Sequence, residues 1–481
     1  MILNRRTLLK GTSLAFAAPH VAKAQLFSSP VITATKRLGT MGDSRNQIPI
    51  NANAGGTQLN ANQGGIAYWA RWLNPRFQHA QWNDTANSPN FWRGASFAVG
   101  GTDPRQWPAQ LTSMLASYTP DAIHCTGPTN AISASLAIAT IQTNMQAVWD
   151  AAILSNGIPF IQSLTEPRST DTVTYPSTAI PYGDQRRFDG QTVNDWIKSM
   201  AAGGRYSGKL TALDIGPVIG DLSPPAGQFP GSLPGMVADD PHFGNPAGPL
   251  MGAALNLALD GLGWSGLAIN PNSLTSDNWH SNPGFKGSGG GISGAGVSGT
   301  VTTGFNVIRG GSSPSGSSVT VACSLVADPD ESGAQKQRLV CTPSGAAVYE
   351  SFVFRPAAIY INIPSWVPVG AYCVMQHQLD FSAADCWRGF QSQVTQNNSG
   401  GTTLFTSNGP NPLNVATGGV LPTRPISIYA ISEPFPIVAG AVKVAPVITI
   451  YIAGTGTIVG TLDIRKPVLR MLPSPHIPFP G

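Results

Sequence analysis

A serine, a histidine and an aspartate suffice for nucleophilic hydrolysis, and this chain offers them in suggestive settings. Ser44 closes the triplet Gly42-Asp43-Ser44, and His242 closes Asp239-Asp240-Pro241-His242 within a Pro/Gly-rich loop. A serine hydroxyl is a weak nucleophile near neutrality until a base removes its proton, and imidazole suits that task. Either Asp239 or Asp240 would accept the other ring N–H and fix its tautomer. Two further segments, Gly100-Gly101-Thr102 and Gly127-Pro128-Thr129-Asn130, place small and polar residues where strands are expected to end.

These residues need a frame. Residues 31–262 alternate strand-like and helix-like runs. Strands are expected at 32–35, 95–99, 120–125, 158–162 and 210–214, and helices at 66–73, 132–154, 193–200 and 249–262. Such alternation predicts an α/β domain, a parallel sheet flanked by helices in three layers, with active residues at the carboxyl ends of the strands. After about 265 the texture changes. Residues 282–320 are rich in Gly, Ser and Thr, and short β-type runs follow, among them 319–323, 358–363 and 426–430. That spacing predicts an all-β sandwich or jelly roll. The expected divisions are a leader at 1–24, a hydrolase-like domain at 25–267 and a β domain at 268–481.

Taken in order, the four segments resemble the SGNH (GDSL-like) hydrolase superfamily, over roughly 31–262. Its blocks carry Ser, Gly, Asn and a terminal Asp-x-x-His, matched here by Ser44, Gly101, Asn130 and Asp239-x-x-His242. The chain departs from the pattern nearby. Arg45 follows the serine where an apolar residue is usual, Ser96 replaces an Asn, Pro128 a Gly and Ala131 an Asp. The resemblance implies a flavodoxin-like three-layer fold and a carboxylic ester hydrolase. Ser44 would be the nucleophile, His242 the base and Asp239, favoured over Asp240 by its spacing, the orienting acid. The N–H groups of Ser44 and Gly101 and the side-chain amide of Asn130 would receive the oxyanion. Asp43 is expected to shape the nucleophile turn. His124 is read as a hydrogen-bonded core residue and Glu166 as a helix cap or surface residue. His79, His280, His377 and His476 have no partner at useful spacing.

Charge and composition exclude other classes. Only 11% of the 481 residues are charged, and the net +4 comes from Arg5, Arg6, Lys10 and Lys23, leaving 24 basic and 24 acidic residues beyond. No concentrated basic surface for nucleic acid is expected. The first 24 residues combine paired arginines, an apolar stretch and Ala22-Lys23-Ala24, which resembles a twin-arginine export signal and predicts a periplasmic or extracellular protein. No membrane-spanning segment is expected in the mature chain, since 447–459 reads as a β-hairpin. Cys323–Cys341 and Cys373–Cys386 are the sequence-local disulfide pairings, with four buried thiols as the alternative. No cofactor or metal motif is present.

Asn282–Phe285 and 456–464 loosely resemble the first and last strands of jelly-roll carbohydrate-binding modules. Trp366, Tyr372 and Trp387 would then be stacking platforms or, as commonly for aromatics, core. A structural or oligomerising β domain fits equally. The expected function is an exported serine esterase acting on O-acyl esters, such as O-acetyl groups of an acylated polysaccharide. The alternatives are a catalytically silent scaffold that binds glycans and a lipid-directed esterase.

Overall fold

The computed structural model describes residues 36–47, 50–53, 56–59, 65–78, 81–83, 92–94, 97–117, 119–237, 240, 242–244, 246–264, 273–310, 319–408, 420–432 and 435–472. The expected leader, the strand at 32–35, Ser96, Asp239, His79 and His476 lie outside them.

An α/β layer comes first. Its sheet contains β1 (Lys36–Met41), β2 (Phe77–Gln78), β3 (Ala122–Cys125), β4 (Phe160–Ser163) and β5 (Leu210–Leu213). The spatial order is β2-β1-β3-β4-β5, every pair parallel. β3 and β4 are buried at every position, as expected when helices cover both faces. The helices are α1 (Ile66–Leu73), α2 (Trp107–Ser117), α3 (Thr129–Ser133), α4 (Ile138–Trp149), α5 (Gln185–Ala202) and α6 (Ala247–Gly261). One apolar cluster, around Trp107, Met145, Trp149 and Phe160, fills the space between sheet and helices. A second, around Leu38, Phe77, Met251 and Leu255, lies against α6.

Two expectations for this half are corrected. Residues 97–99 are not a strand, although Phe97 and Val99 donate N–H bonds to Thr40 and Gly42 of the first strand and its turn. The edge position is taken instead by Phe77–Gln78. The helix expected over 132–154 is broken, because Ser135 turns left-handed (φ 52°) between α3 and α4.

The remaining chain forms two seven-stranded sheets. The first runs 291–293, 305–309, 350–356, 443–452, 387–397 and 403–408, with 361–362 paired to 443–452. The second runs 297–299, 319–327, 335–343, 460–471, 372–381 and 426–431, with 435–436 paired to 372–381. Residues from both sheets, Phe352, Phe354 and Ile450 from one and Leu339, Met375 and Ile464 from the other, share one core. This is the β-sandwich expected from the short alternating runs. Residues 443–452 and 460–471 are not a hairpin, however. They belong to opposite sheets, and the turn between them crosses the sandwich. Asn282–Phe285 is a turn closed by Lys286 N–H donating to Asn282 Oδ1, not a first strand.

All five cysteines are buried free thiols, which corrects the disulfide pairings. Cys323 stands opposite Leu339 and Cys341 opposite Val321, so the two are diagonal neighbours. Diagonal positions lie about 7–8 Å apart, beyond the span a disulfide bridges. Of the three platform candidates, Trp387 is buried and donates to Ser382 O, Tyr372 is half-buried and Trp366 is exposed. No described helix is long and apolar enough to cross a membrane.

α1 belongs to both halves. Its Ile66, Ala67 and Ala70 pack with α6, while Tyr68, Trp69 and Trp72 enter the sandwich core. Trp69 and Trp72 meet Phe390 edge-on at 6.1 and 6.2 Å.

The sandwich also buries His280 and His377, whose rings lie 5.9 Å apart between Phe305 and Phe354. Burial lowers the pKa of His280, like that of His124 in β3, to about 3. It holds His377 well below the ordinary value too, with His280 adding to the effect. These rings stay neutral in the fold, whereas the unfolded chain protonates them below about pH 6.5. Stability is therefore full above that pH and declines as the pH falls toward 3, by about 1.4 kcal/mol per pH unit for each ring. Urea midpoints at about pH 7.5 and about pH 5 should show this slope reduced by about one proton in His280→Phe. An unchanged slope would rule out His280 as a source.

Candidate active site

The candidate residues gather at the carboxyl ends of the parallel strands. Gly42 ends β1 at φ 111°, where a Cβ would lie 2.1 Å from Thr126 Oγ1, so only glycine fits. Asp43 N–H donates to that Thr126 oxygen at 3.0 Å, tying the turn after β1 to the turn after β3. Ser44 then opens a single helical turn, Ser44–Gln47, capped by Asp43 Oδ1 accepting from Arg45 N–H at 3.0 Å. As expected, Asp43 shapes this turn.

His242 arrives from 198 positions along the chain, and its Nε2 lies 2.9 Å from Ser44 Oγ. Both side chains are half-buried. The loop that delivers the imidazole is pinned at both ends. Val237 bridges Phe243, and Gly244 N–H donates to Met236 O at 2.9 Å. Between them Asp240 is fully buried at φ 24°, an unfavourable conformation for a non-glycine residue. Its carboxylate accepts from Arg168 Nε at 2.7 Å and from Ser169 N–H at 3.2 Å. Arg168 is itself fixed by Ser133 Oγ and Thr178 O. Asp240 therefore anchors the loop to Arg168, and its carboxylate is committed there. Asp239 is outside the described residues.

Gly101 sits on an exposed turn at φ 75°. The turn is bound to Gly42 O through Val99 N–H at 3.1 Å and Thr102 Oγ1 at 2.9 Å. Gln110 Nε2 donates to the same oxygen. Asn130, on α3, donates one amide hydrogen to Thr102 O at 3.0 Å. Its second is uncommitted among the described residues. The loops of Ser44, Gly101 and Asn130 are thus cross-linked to one another.

The expectation for Glu166 is corrected. It is neither cap nor surface residue but 2% exposed, and it joins three loops. One oxygen accepts from Gly127 N–H at 2.8 Å, the other from Thr129 Oγ1 at 2.6 Å and Arg45 Nη1 at 3.0 Å. Gly127 permits this approach, since a Cβ there would meet Leu164 O at 2.0 Å. Arg45 also reaches Asp43 Oδ2 at 3.3 Å and covers the Phe243 ring at 5.6 Å. Burial raises the pKa of Asp43; Arg45 and a charged His242 oppose that rise, while Glu166 adds to it. The one hint in the sequence was Arg45, a charge where the family pattern carries an apolar residue.

A second serine–histidine pair lies beneath. Asn46 Nδ2 meets His124 Nδ1 at 3.2 Å, so Nδ1 accepts and Nε2–H donates to Ser163 Oγ at 3.0 Å. Both residues are about 1% exposed, which makes the pair structural. Among the described residues no His, Cys, Asp and Glu cluster could hold a metal ion.

No family model matches this chain, and no curated protein does. Among solved structures it is similar to a GDSL-like lipase from Bacteroides thetaiotaomicron, at 12% identity over 47% of this chain and 88% of that one, TM-score 0.30. TesA is similar at 16% identity over 47% and 99%, TM-score 0.31. A structure of carbohydrate-binding modules of the β-sandwich superfamily is similar at 10% identity over 41% and 62%, TM-score 0.24.

Removing one partner of a buried ion pair costs about 3–5 kcal/mol, because the other charge stays desolvated. Glu166→Ala should lose stability on that scale, with Glu166→Gln, which keeps the amide and hydroxyl contacts, losing less. Denaturant titration of the two variants checks this; Glu166→Gln as stable as the parent would deny the charge its role. Asp240→Ala should show a similar loss by stranding Arg168, and a loss under about 1 kcal/mol would contradict the anchor.

Proposed function

We propose that the chain is a serine esterase in which Ser44 attacks an O-acyl ester. The observation that carries this reading is the 2.9 Å contact between Ser44 Oγ and His242 Nε2 at the carboxyl edge of a parallel sheet. With Nδ1 protonated, Nε2 accepts the Ser44 hydroxyl and takes its proton as Oγ attacks the ester carbonyl. Asp239, three residues before His242, is the acceptor assigned to Nδ1–H, in keeping with the commitment of Asp240 to Arg168.

The tetrahedral intermediate carries its charge on the former carbonyl oxygen. The N–H groups of Ser44 and Gly101 and the uncommitted amide hydrogen of Asn130 are its donors. Losing one such donor costs about 10²–10³ in rate. Collapse returns the proton from His242 to the leaving alcohol and leaves an acyl group on Ser44. Water, activated by the same imidazole, then releases the acid.

The acyl group is assigned as acetyl or another short chain. The alcohol is assigned to a polysaccharide met after twin-arginine export, on the strength of the leader residues and the sandwich that follows. The exposed Trp366 is the one aromatic of the three candidates still open to a sugar face.

p-Nitrophenyl acetate hydrolysis by residues 25–481, with spontaneous hydrolysis subtracted, tests the core of this. Ser44→Ala and His242→Ala should each lower kcat by about 10⁴–10⁶-fold, with the double variant falling no further. Turnover that survives Ser44→Ala would remove the assignment.

A further inference from the structure

A cleft of about 200 Å³ opens at the carboxyl ends of β4 and β5, between those strands and α5. Its walls carry Thr165, Asn194, Lys198, Asp214, Asp221 and Gln228, with proline rings between them. Most acceptors in this set already take a hydrogen bond; Gln191, which also lines the cleft, donates to Asp195 and, among the described residues, keeps its own side-chain oxygen open. Asn194 Oδ1 accepts from Thr165 N–H at 2.7 Å, and Gln228 Oε1 from Gly183 N–H at 2.6 Å. Asp214 accepts from Gly216 N–H at 3.0 Å and pairs with Lys198 at 2.8 Å. Asp221 accepts from Ser223 N–H at 2.9 Å and Tyr182 Oη–H at 3.1 Å.

The donors are not used. Among the described residues, the amide nitrogens of Asn194 and Gln228 have no acceptor, and the Thr165 hydroxyl is buried with no partner at all. Lys198 adds N–H groups beyond the one facing Asp214. The formal charge of the set is one negative, two carboxylates against one ammonium, which disfavours an anion. A cation would compete with Lys198 for Asp214 and with Ser223 and Tyr182 for Asp221. A peptide's fixed N–H groups would find mostly occupied acceptors, whereas hydroxyls rotate and turn their hydrogens to water.

We infer that this cleft binds a neutral, oxygen-rich sugar unit, and that it is the subsite for the alcohol portion of the ester. The assignment as a subsite rests on the esterase reading; the binding itself does not. β4 and β5 lie two and three strands from β1, so the cleft is about 10–15 Å from Ser44 along one edge. A polymer bound in it would present an ester on a neighbouring unit.

The test is saturation-transfer NMR on residues 25–481 with N-acetylglucosamine and methyl xyloside as probes. Glucuronate and N-acetyl-trialanine amide serve as charged and peptide controls. Asn194→Asp and Gln228→Glu keep the acceptor oxygens and remove donors. Each should weaken the neutral sugars by about tenfold. Absence of transfer from either sugar overturns the inference, as does transfer unchanged in both variants, which would put the sugar elsewhere, such as on the sandwich. Binding of glucuronate or the peptide in preference to the sugars also overturns it. p-Nitrophenyl acetate turnover is scored separately: sugar binding with no turnover keeps the site and discards the esterase, while Ser44-dependent turnover with no sugar binding does the reverse.

Discussion

The geometry around Ser44 depends on one guanidinium. Arg45 lies between two buried carboxylates, Asp43 of its own turn and Glu166 just after β4, two strands away along the same edge, and its plane covers Phe243. Through Glu166 it is linked to Gly127 and Thr129, and so to the loop that leads to Asn130. Phe243 adjoins His242. The turn of Ser44, the neighbour of His242 and the loop of Asn130 thus touch a single buried ion cluster, and none of them moves without disturbing a charge that has left water.

Such a cluster is a poor device for stability alone, because desolvation cancels much of the attraction between the charges. It is a good device for register. Two carboxylates and one guanidinium, each under 3% exposed, accept one arrangement of donors and penalise every other. The Arg168–Asp240 pair works similarly at the opposite side of the site, holding a strained backbone two residues before the imidazole. The edge that carries Ser44 and His242 is therefore framed by one buried ion cluster and one buried ion pair, while the hydrophobic clusters beneath it supply the folding energy.

The sequence carried the local part of this design. Periodicity located α1, α5 and α6 and the strands β3, β4 and β5, and the small polar endings of the strands marked the edge where Ser44 and His242 meet. Contacts that depend on distant pairing were not legible. Glu166 reads as an isolated acid before a proline, and its partner Arg45 is 121 positions away. Residues 447–459 have the local look of a hairpin, and only sheet membership shows that the chain changes sheets there. The break at Ser135 has no glycine or proline to announce it. Cys323 and Cys341 are neighbours in sequence spacing, yet a two-residue offset in the ladder separates them. His280 and His377 seem unrelated along the chain and become ring neighbours only when the sandwich closes.

The shared helix has a consequence for how the molecule comes into being. α1 is made early, but the surface that buries Trp69 and Trp72 includes Phe390, more than 300 positions later. Until that strand exists, the amino-terminal layer carries Tyr68, Trp69 and Trp72 on one helix face, of which Trp69 has α6 beside it and the rest of the cover is missing. Contacts of such long sequence separation close slowly and leave apolar surface open to wrong partners meanwhile. The first half of this chain cannot complete its folding as it emerges; it must wait, guarded or at risk of aggregation, for the second.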